Sequence, residues 1–336
     1  MNLGALLLGA CVLGLGACTP APAVVPSALP VTVGGPPPPY GFWGMNGHLS
    51  PAGLDDLSKR FRLTIFQTAT ADPSWAVHTL LPMARASGVK VTLRTTADHS
   101  AYTTNGDFDL DAWKARLAPW AGSGVQAFID DGTLVGHMLL DDIANFDRRD
   151  PDAADLDEMA RYSKELLPGL MTYVRQKASA MPIPGDTSGG RYVYLDACVN
   201  QYKSAEGSVT SYAASEAAQA RRLGLGIING LNIANGGDGS SGQPGWGAGR
   251  HAMSASEITD YGTVLSAVPE CGMFLNWEYD GEERWSDGTV GSAYFNRPDL
   301  QAALAGLGAR VADHRPVPLL KPPVKPPPLA QPEMLP

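Results

Sequence analysis

Carboxylates, amides and indoles recur in this sequence where apolar runs end. Asp141-Asp142 close the run Val135–Leu140, and Asn276-Trp277-Glu278 lie at the end of Met273–Tyr279. Amides offer paired donors and acceptors to hydroxyl groups, and an indole face is an apolar platform for a sugar ring. Two carboxyl groups flanking one bond can cleave a glycosidic linkage. One stays protonated to assist the leaving oxygen, and the other attacks or activates water. Asp142 is the candidate acid and Glu278 its partner, with Asp141 beside them. Trp43, Gln67, Arg94, His99, Asp196, Asn232 and Trp277 are the candidate substrate-binding residues. Signatures of other chemistries are missing: no Gly-x-Ser-x-Gly elbow, no His-Glu-x-x-His pair, no Gly-Lys-Ser/Thr phosphate loop and no Cys-x-x-Cys. Neither a cofactor nor a metal is expected. Asp107-x-Asp109-x-Asp111 looks like the start of a calcium loop, but Ala112 and Ala118 stand where Gly and Glu are required. Acids in the first turn of a helix are the simpler reading. His78 and His137 lie inside elements and read as packing residues.

The elements that must position these groups alternate. Tyr40–Trp43, Leu63–Gln67, Val89–Leu93, Val135–Leu140, Tyr192–Leu195, the Gly-broken Leu223–Ile233 and Met273–Tyr279 read as strands. Between them lie helical patterns. Ser50-Pro51 is an N-cap followed by Pro, with Leu54, Leu57 and Phe61 on one face. Leu156–Lys177 reads as one long helix striped by Met159, Tyr162, Leu166 and Leu170. Ser254-Ala-Ser-Glu257 resembles a capping box. Such alternation predicts an α/β fold with parallel strands, a (β/α)8 TIM-like barrel whose active face lies at the C-terminal ends of the strands. Seven strands are legible. The eighth is either short or hidden in 224–250, and a doubly wound open sheet is the alternative. No Gly-x-Gly-x-x-Gly turn follows the first strand, which favours the barrel. The loop Gly236–Gly242 reads either as a lid over the mouth or as an unstructured insertion.

The segment Asp131–Ile143 (Asp-Gly-Thr-Leu-Val-Gly-His-Met-Leu-Leu-Asp-Asp-Ile) resembles the fourth-strand region of retaining barrel glycosidases, in the clan of cellulases and β-galactosidases. In that clan the strand ends in Asn-Glu or Asp-Glu and the Glu is the acid. The resemblance puts Asp142 in that place, one methylene shorter. Cys271–Trp285 resembles the clan's final strand, whose Trp lines the sugar site, and Trp277 matches it. The clan's nucleophile lies on the strand before the last, where this sequence has Asn232, Asn235 and Asp238. The two segments amount to about a tenth of the chain, so the resemblance is one of fold. Strand parity bears on the pair: residues 274, 276 and 278 share one face, and 275, 277 and 279 the other. With Asn276 and Glu278 turned inward, Trp277 would face the helices unless a bulge presents both.

Composition frames this domain. The chain has 336 residues, 44% hydrophobic and 18% charged, an ordinary globular balance. The net charge of −9 argues against a nucleic-acid partner. Seventeen of the 28 prolines lie in Thr19–Pro39 and Pro316–Pro336. The expected layout is residues 1–18 as an export signal, 19–39 as a Pro-rich linker, 40–315 as the barrel and 316–336 as a Pro-rich tail. Leu3–Gly16 is too short to span a bilayer and fits a signal h-region. It runs into Leu15-Gly16-Ala17-Cys18, which resembles the bacterial lipobox and implies a lipid on Cys18. An exported, membrane-anchored protein with a polysaccharide or oligosaccharide partner is therefore expected. Hydrolysis is the leading expectation, and a non-catalytic glycan-binding envelope lipoprotein with a degenerate barrel is the alternative. Cys198 and Cys271 are either a disulfide or two buried thiols.

Overall fold

In the computed structural model the described residues are 37–45, 49–96, 98–185, 189–277, 279, 295–316 and 321. Eight parallel strands close into one barrel. They are β1 (Tyr40–Phe42), β2 (Ile65–Ala69), β3 (Lys90–Arg94), β4 (Leu134–Asp141), β5 (Met171–Arg175), β6 (Ala197–Tyr202), β7 (Gly226–Leu231) and β8 (Cys271–Asn276). Each strand pairs with its neighbours in sequence, and β8 returns to β1 with Tyr40 opposite Phe274. The expected (β/α)8 architecture is the one observed.

Helices follow where the sequence places caps. Ser50 accepts from Gly53 N and Pro51 opens the helix Pro51–Phe61, which buries Leu54, Leu57 and Phe61. Asp109, read above as a first-turn acid, caps Leu110–Leu117 by accepting from Ala112 N. Ser254 and Glu257 form a reciprocal capping box at the head of Ala255–Ser266. Pro298–Asp313 closes the ring, burying Leu300, Leu304, Leu307 and Val311. Among the described residues no helix is long and apolar enough to cross a membrane.

The missing strand was inside the expected long helix. That helix spans Ala153–Leu166 only, and Met171–Arg175 is β5. Leu167 is the C-cap, Pro168 follows it, and Gly169 takes φ +86°. Proline cannot continue a helix and Gly is free to reverse the chain, so Pro-Gly is a stop signal that outweighs the apolar stripe. Among the described residues between β5 and β6 the outer layer holds the 3-10 turn Ala178–Ala180 and no α-helix. The next strand is displaced as well: β6 covers 197–202, not Tyr192–Leu195. Asp157 caps that earlier segment by accepting from the amides of Val193, Tyr194 and Leu195.

Strand alternation sorts the core into two clusters. Ile65, Met138, Tyr173, Val199, Ile228, Met273 and Leu275 fill the barrel, and Trp43 closes over them. The opposite faces, among them Phe42, Leu93, Leu139 and Val174, meet the helices. Two inward positions admit only glycine. A Cβ on Gly41 would lie 1.7 Å from Ile65 O, and one on Gly230 would lie 1.8 Å from Leu275 O. Cys198 and Cys271 are buried free thiols. Both pair in register with Ile227, from opposite sides of β7. Two strand spacings, roughly 10 Å, exceed the reach of a disulfide. Burial pushes the Cys271 thiol up to about 11 and that of Cys198 higher still. His137 also lies in the outer layer, with Nε2 on Thr95 Oγ1 and Nδ1 on Ser163 Oγ, each at 2.7 Å. Its neighbour in expectation, His78, is exposed. Lys321 donates to the carbonyls of Tyr192 and Gly224, which precede β6 and β7.

Candidate functional site

At the C-terminal ends of the strands a cleft of about 150 Å³ is lined by Trp43, Gln67, Arg94, Met138, Asp141, Arg175 and Trp277, with Gly44, Thr68 and Ala69. A local irregularity sets its chemistry. The β4–β5 register shifts between Met138 and Leu140, so Leu139 and Leu140 both face the helices. The bulge re-aims the strand, and Asp141 turns into the barrel mouth.

There Asp141 stands between two guanidinium groups. Arg94 on β3 donates to its Oδ2 at 3.3 Å and to Asp98 at 2.9 Å. Arg175 on β5 pairs through Nε with Asp141 Oδ1, and its Nη2 donates to Asp142 Oδ2 at 2.5 Å. One arginine therefore bridges the Asp141-Asp142 pair. Asp142 itself takes φ +56°, a left-handed conformation uncommon outside glycine, and its amide donates to Arg175 O at 3.2 Å. Asp142 Oδ2 is thereby held by the Arg175 guanidinium in a charge-assisted hydrogen bond.

The indoles play different parts. Trp43 is 3% exposed, and its Nε1 donates to Leu275 O at 3.1 Å. It floors the cleft edge-on to Tyr173 and offers a ligand little face. The Tyr173 hydroxyl bonds to Thr92 at 2.7 Å, and burial pushes its pKa well up, keeping it protonated. Trp277 is half-buried and lies on the inner side, where it packs with the barrel-filling cluster. Asn276 is the residue turned outward, with Nδ2 on Gly41 O and Oδ1 accepting from Leu231 N. The inward set on β8 is thus 273, 275 and 277, the reverse of the parity that would turn Asn276 inward. Gln67 lines the cleft with its amide donating to Thr68 O.

Three expected site residues do not line the cleft. Asp196 precedes β6, at the opposite end of the barrel from the mouth. It accepts from Lys164 Nζ and Thr172 N there, because the strand assigned to Tyr192–Leu195 starts later. His99 packs its ring on Tyr102 and Phe146 beside the mouth and does not line the cleft. Asn232 follows β7 with its side-chain Oδ1 accepting from Asn235 N, a local turn contact. Glu278 lies outside the described residues, as do Asn46, His48, Asp280 and Cys18. Two residues of the mouth went unnamed in the sequence. Arg175 was concealed by the overlong helix. Trp246, in the loop after β7, stands with its ring centroid 5.8 Å from that of Trp277. Its signal was an isolated indole in a Gly-rich loop following a strand. No group of His, Cys, Asp and Glu among the described residues has the arrangement to hold a metal.

The sequence matches no protein-family model, and no curated protein sequence matches it. Solved structures do resemble the fold. A β-glucanase from Saccharophagus degradans, solved with cellotetraose, superposes with a TM-score of 0.53 at 9% identity, covering 83% of this chain and 89% of that one. The catalytic domain of the major endoglucanase from Xanthomonas campestris gives a TM-score of 0.47 at 10% identity, over 82% and 95% of the two chains. Gas2p from Saccharomyces cerevisiae, with laminaripentaose, gives 0.49 at 14% identity over 87% and 70%. The chain therefore shares the closed (β/α)8 fold of the glucanase from Saccharophagus degradans.

Proposed function

We propose that the protein binds a carbohydrate at the mouth of its barrel. The observation that carries this reading is the cleft itself: an accessible indole, Trp277, faces a row of alternating charges, Arg94, Asp141 and Arg175, fixed by mutual pairing. Paired carboxylates and guanidinium groups present acceptors and donors together, which suits vicinal hydroxyls, while the indole suits the apolar face of a pyranose. The location agrees, since ligands of barrel proteins sit at the C-terminal ends of the strands. That the fold neighbour from Saccharophagus degradans was solved with cellotetraose supports a glucan-type oligosaccharide.

Glycoside hydrolysis is the second reading, and the Asp141-Asp142 pair at the end of β4 favours it. Its catalytic residues would be Asp142, assisted by Asp141, and Glu278. Two features of the described residues weigh the other way. Asp142 is engaged by Arg175, and β7 is followed by the amides Asn232 and Asn235, with Asp238 the first carboxylate, where the resembling barrels carry their nucleophile. Calorimetric titration with cello-, laminari- and chito-oligosaccharides tests the first reading. Binding that Trp277→Ala weakens about tenfold or more is expected, and a protein that binds none of the three series refutes it. Release of reducing ends that Asp142→Asn abolishes, with glycan affinity retained, would establish the second. Export with a lipid on Cys18 rests on the Leu15–Cys18 sequence, and loss of membrane fractionation in Cys18→Ala tests it.

A further inference from the structure

The cleft is smaller than an oligosaccharide needs. Its volume of about 150 Å³ falls below the roughly 300–1,000 Å³ of typical ligand pockets. A chain of sugars seated there must continue across the surface. On one side of Trp277 that surface is Trp246. Three of the tryptophans, Trp43, Trp113 and Trp120, are buried, whereas Trp246 is 42% exposed. Its ring meets Trp277 at 84°, so the two indoles form a corner rather than a stack.

The loop holding Trp246 is fixed. Trp246 N donates to Ala234 O at 3.1 Å, and Gly245 N to Arg250 O at 2.7 Å. Asn235 links the segment twice, its amide donating to Asn232 Oδ1 and its Oδ1 accepting from Gly247 N at 2.7 Å. At Gly245 a Cβ would come within 2.5 Å of Ala234 O, so the chain lies tightly against its own base. Further along, Glu257 accepts from Asp238 N at 2.8 Å. A large apolar side chain held exposed on a stapled loop, next to a ligand cleft, loses little entropy on binding.

We infer that Trp246 is a second sugar subsite adjoining the Trp277 cleft, so that the ligand is a linear oligosaccharide or polysaccharide rather than a monosaccharide. This rests on the carbohydrate reading of the cleft and adds the ligand's length to it. One unit sits at Trp277 and the cleft, and its neighbour lies on Trp246.

The test is a chain-length series, from glucose to pentaose, of whichever oligosaccharide family the wild-type protein binds. Each is titrated into wild type, Trp246→Ala, Trp246→Tyr and Trp277→Ala, with thermal melting to show that every variant is folded. Wild-type affinity should rise with length and then level off. Trp246→Ala should bind the shortest ligand as wild type does and lose about tenfold for the tetraose. Trp246→Tyr, which keeps a flat face, should recover most of that loss. If wild type binds and Trp246→Ala follows it at every length, the second subsite is refuted while the cleft reading stands. If wild type binds no member of any series, the cleft reading itself falls, and the subsite with it.

Discussion

Replacing His137 by Gln should flatten the acid side of the stability profile. The imidazole is fully buried between Thr95 and Ser163 and stacks at 6.2 Å on Trp113. Burial pushes its pKa down to about 3, whereas an unfolded His titrates near 6.5. Between those values the unfolded chain takes up a proton that the folded protein refuses. Folding stability is therefore full above about pH 6.5 and declines as the pH falls toward 3, with a limiting slope of about 1.4 kcal/mol per pH unit. Integrated from pH 7 to pH 5, the loss from this one group is about 2 kcal/mol. That figure barely changes as long as the folded imidazole stays neutral at pH 5. Gln can serve both hydroxyls and does not titrate. Urea unfolding followed by tryptophan fluorescence at pH 7, 6 and 5 measures both proteins. Groups common to the two cancel, so wild type should lose about 2 kcal/mol more than His137→Gln over the interval. Equal pH slopes would refute the argument, because they would mean that the buried imidazole takes up its proton without unfolding.

Other perturbations follow from the mouth and the barrel wall. Arg175→Gln leaves Asp141 and Asp142 facing each other without their shared cation. Because Arg175 is 19% and Asp142 48% exposed, the loss should be about 1–3 kcal/mol, short of that for a fully buried pair. Arg175→Lys should fall in between, since an ammonium keeps the charge but lacks the rigid planar fork that spans the two carboxylates. Urea midpoints at pH 7 read both variants. Gly230→Ala drives a Cβ to 1.8 Å from Leu275 O and should misfold or lose more than about 3 kcal/mol. Gly272→Ala, whose Cβ would meet nothing within 4 Å, should change stability by less than about 1 kcal/mol. Soluble yield and unfolding midpoints distinguish the two.

The barrel was legible because its periodicities are strong and its caps are conventional. Ser50-Pro51 and Ser254–Glu257 mark helix starts through side chains that reach only three residues, which is information a sequence carries locally. What escaped depended on contacts or on competing signals. Met171–Arg175 lay behind an apolar stripe that continued past Leu166, and the stop in Pro168-Gly169 was the weaker-looking mark. That error removed Arg175 from view, and with it the reason Asp141 and Asp142 form an ion-paired unit. The β4 bulge was invisible too, since no residue type in His137–Asp141 demands it. Without it Asp141 would face the helices. The inward turn of Trp277 is likewise set by the register of β8 against its neighbours, starting from the irregularity between Cys271 and Met273. That Trp43, Gln67, Arg94, Asp141 and Trp277 line one cleft could be anticipated because residue type at a strand end is a local property. Asp196 was misplaced because the boundary of β6 is not.

The two ends of the described chain have a bearing on how the domain can be held. Pro39 leads into the start of β1, and Lys321 is fastened to the carbonyls of Tyr192 and Gly224, ahead of β6 and β7. Both lie at the base of the barrel, opposite the mouth. The described chain thus enters β1 on the side of the barrel remote from Trp246 and Trp277.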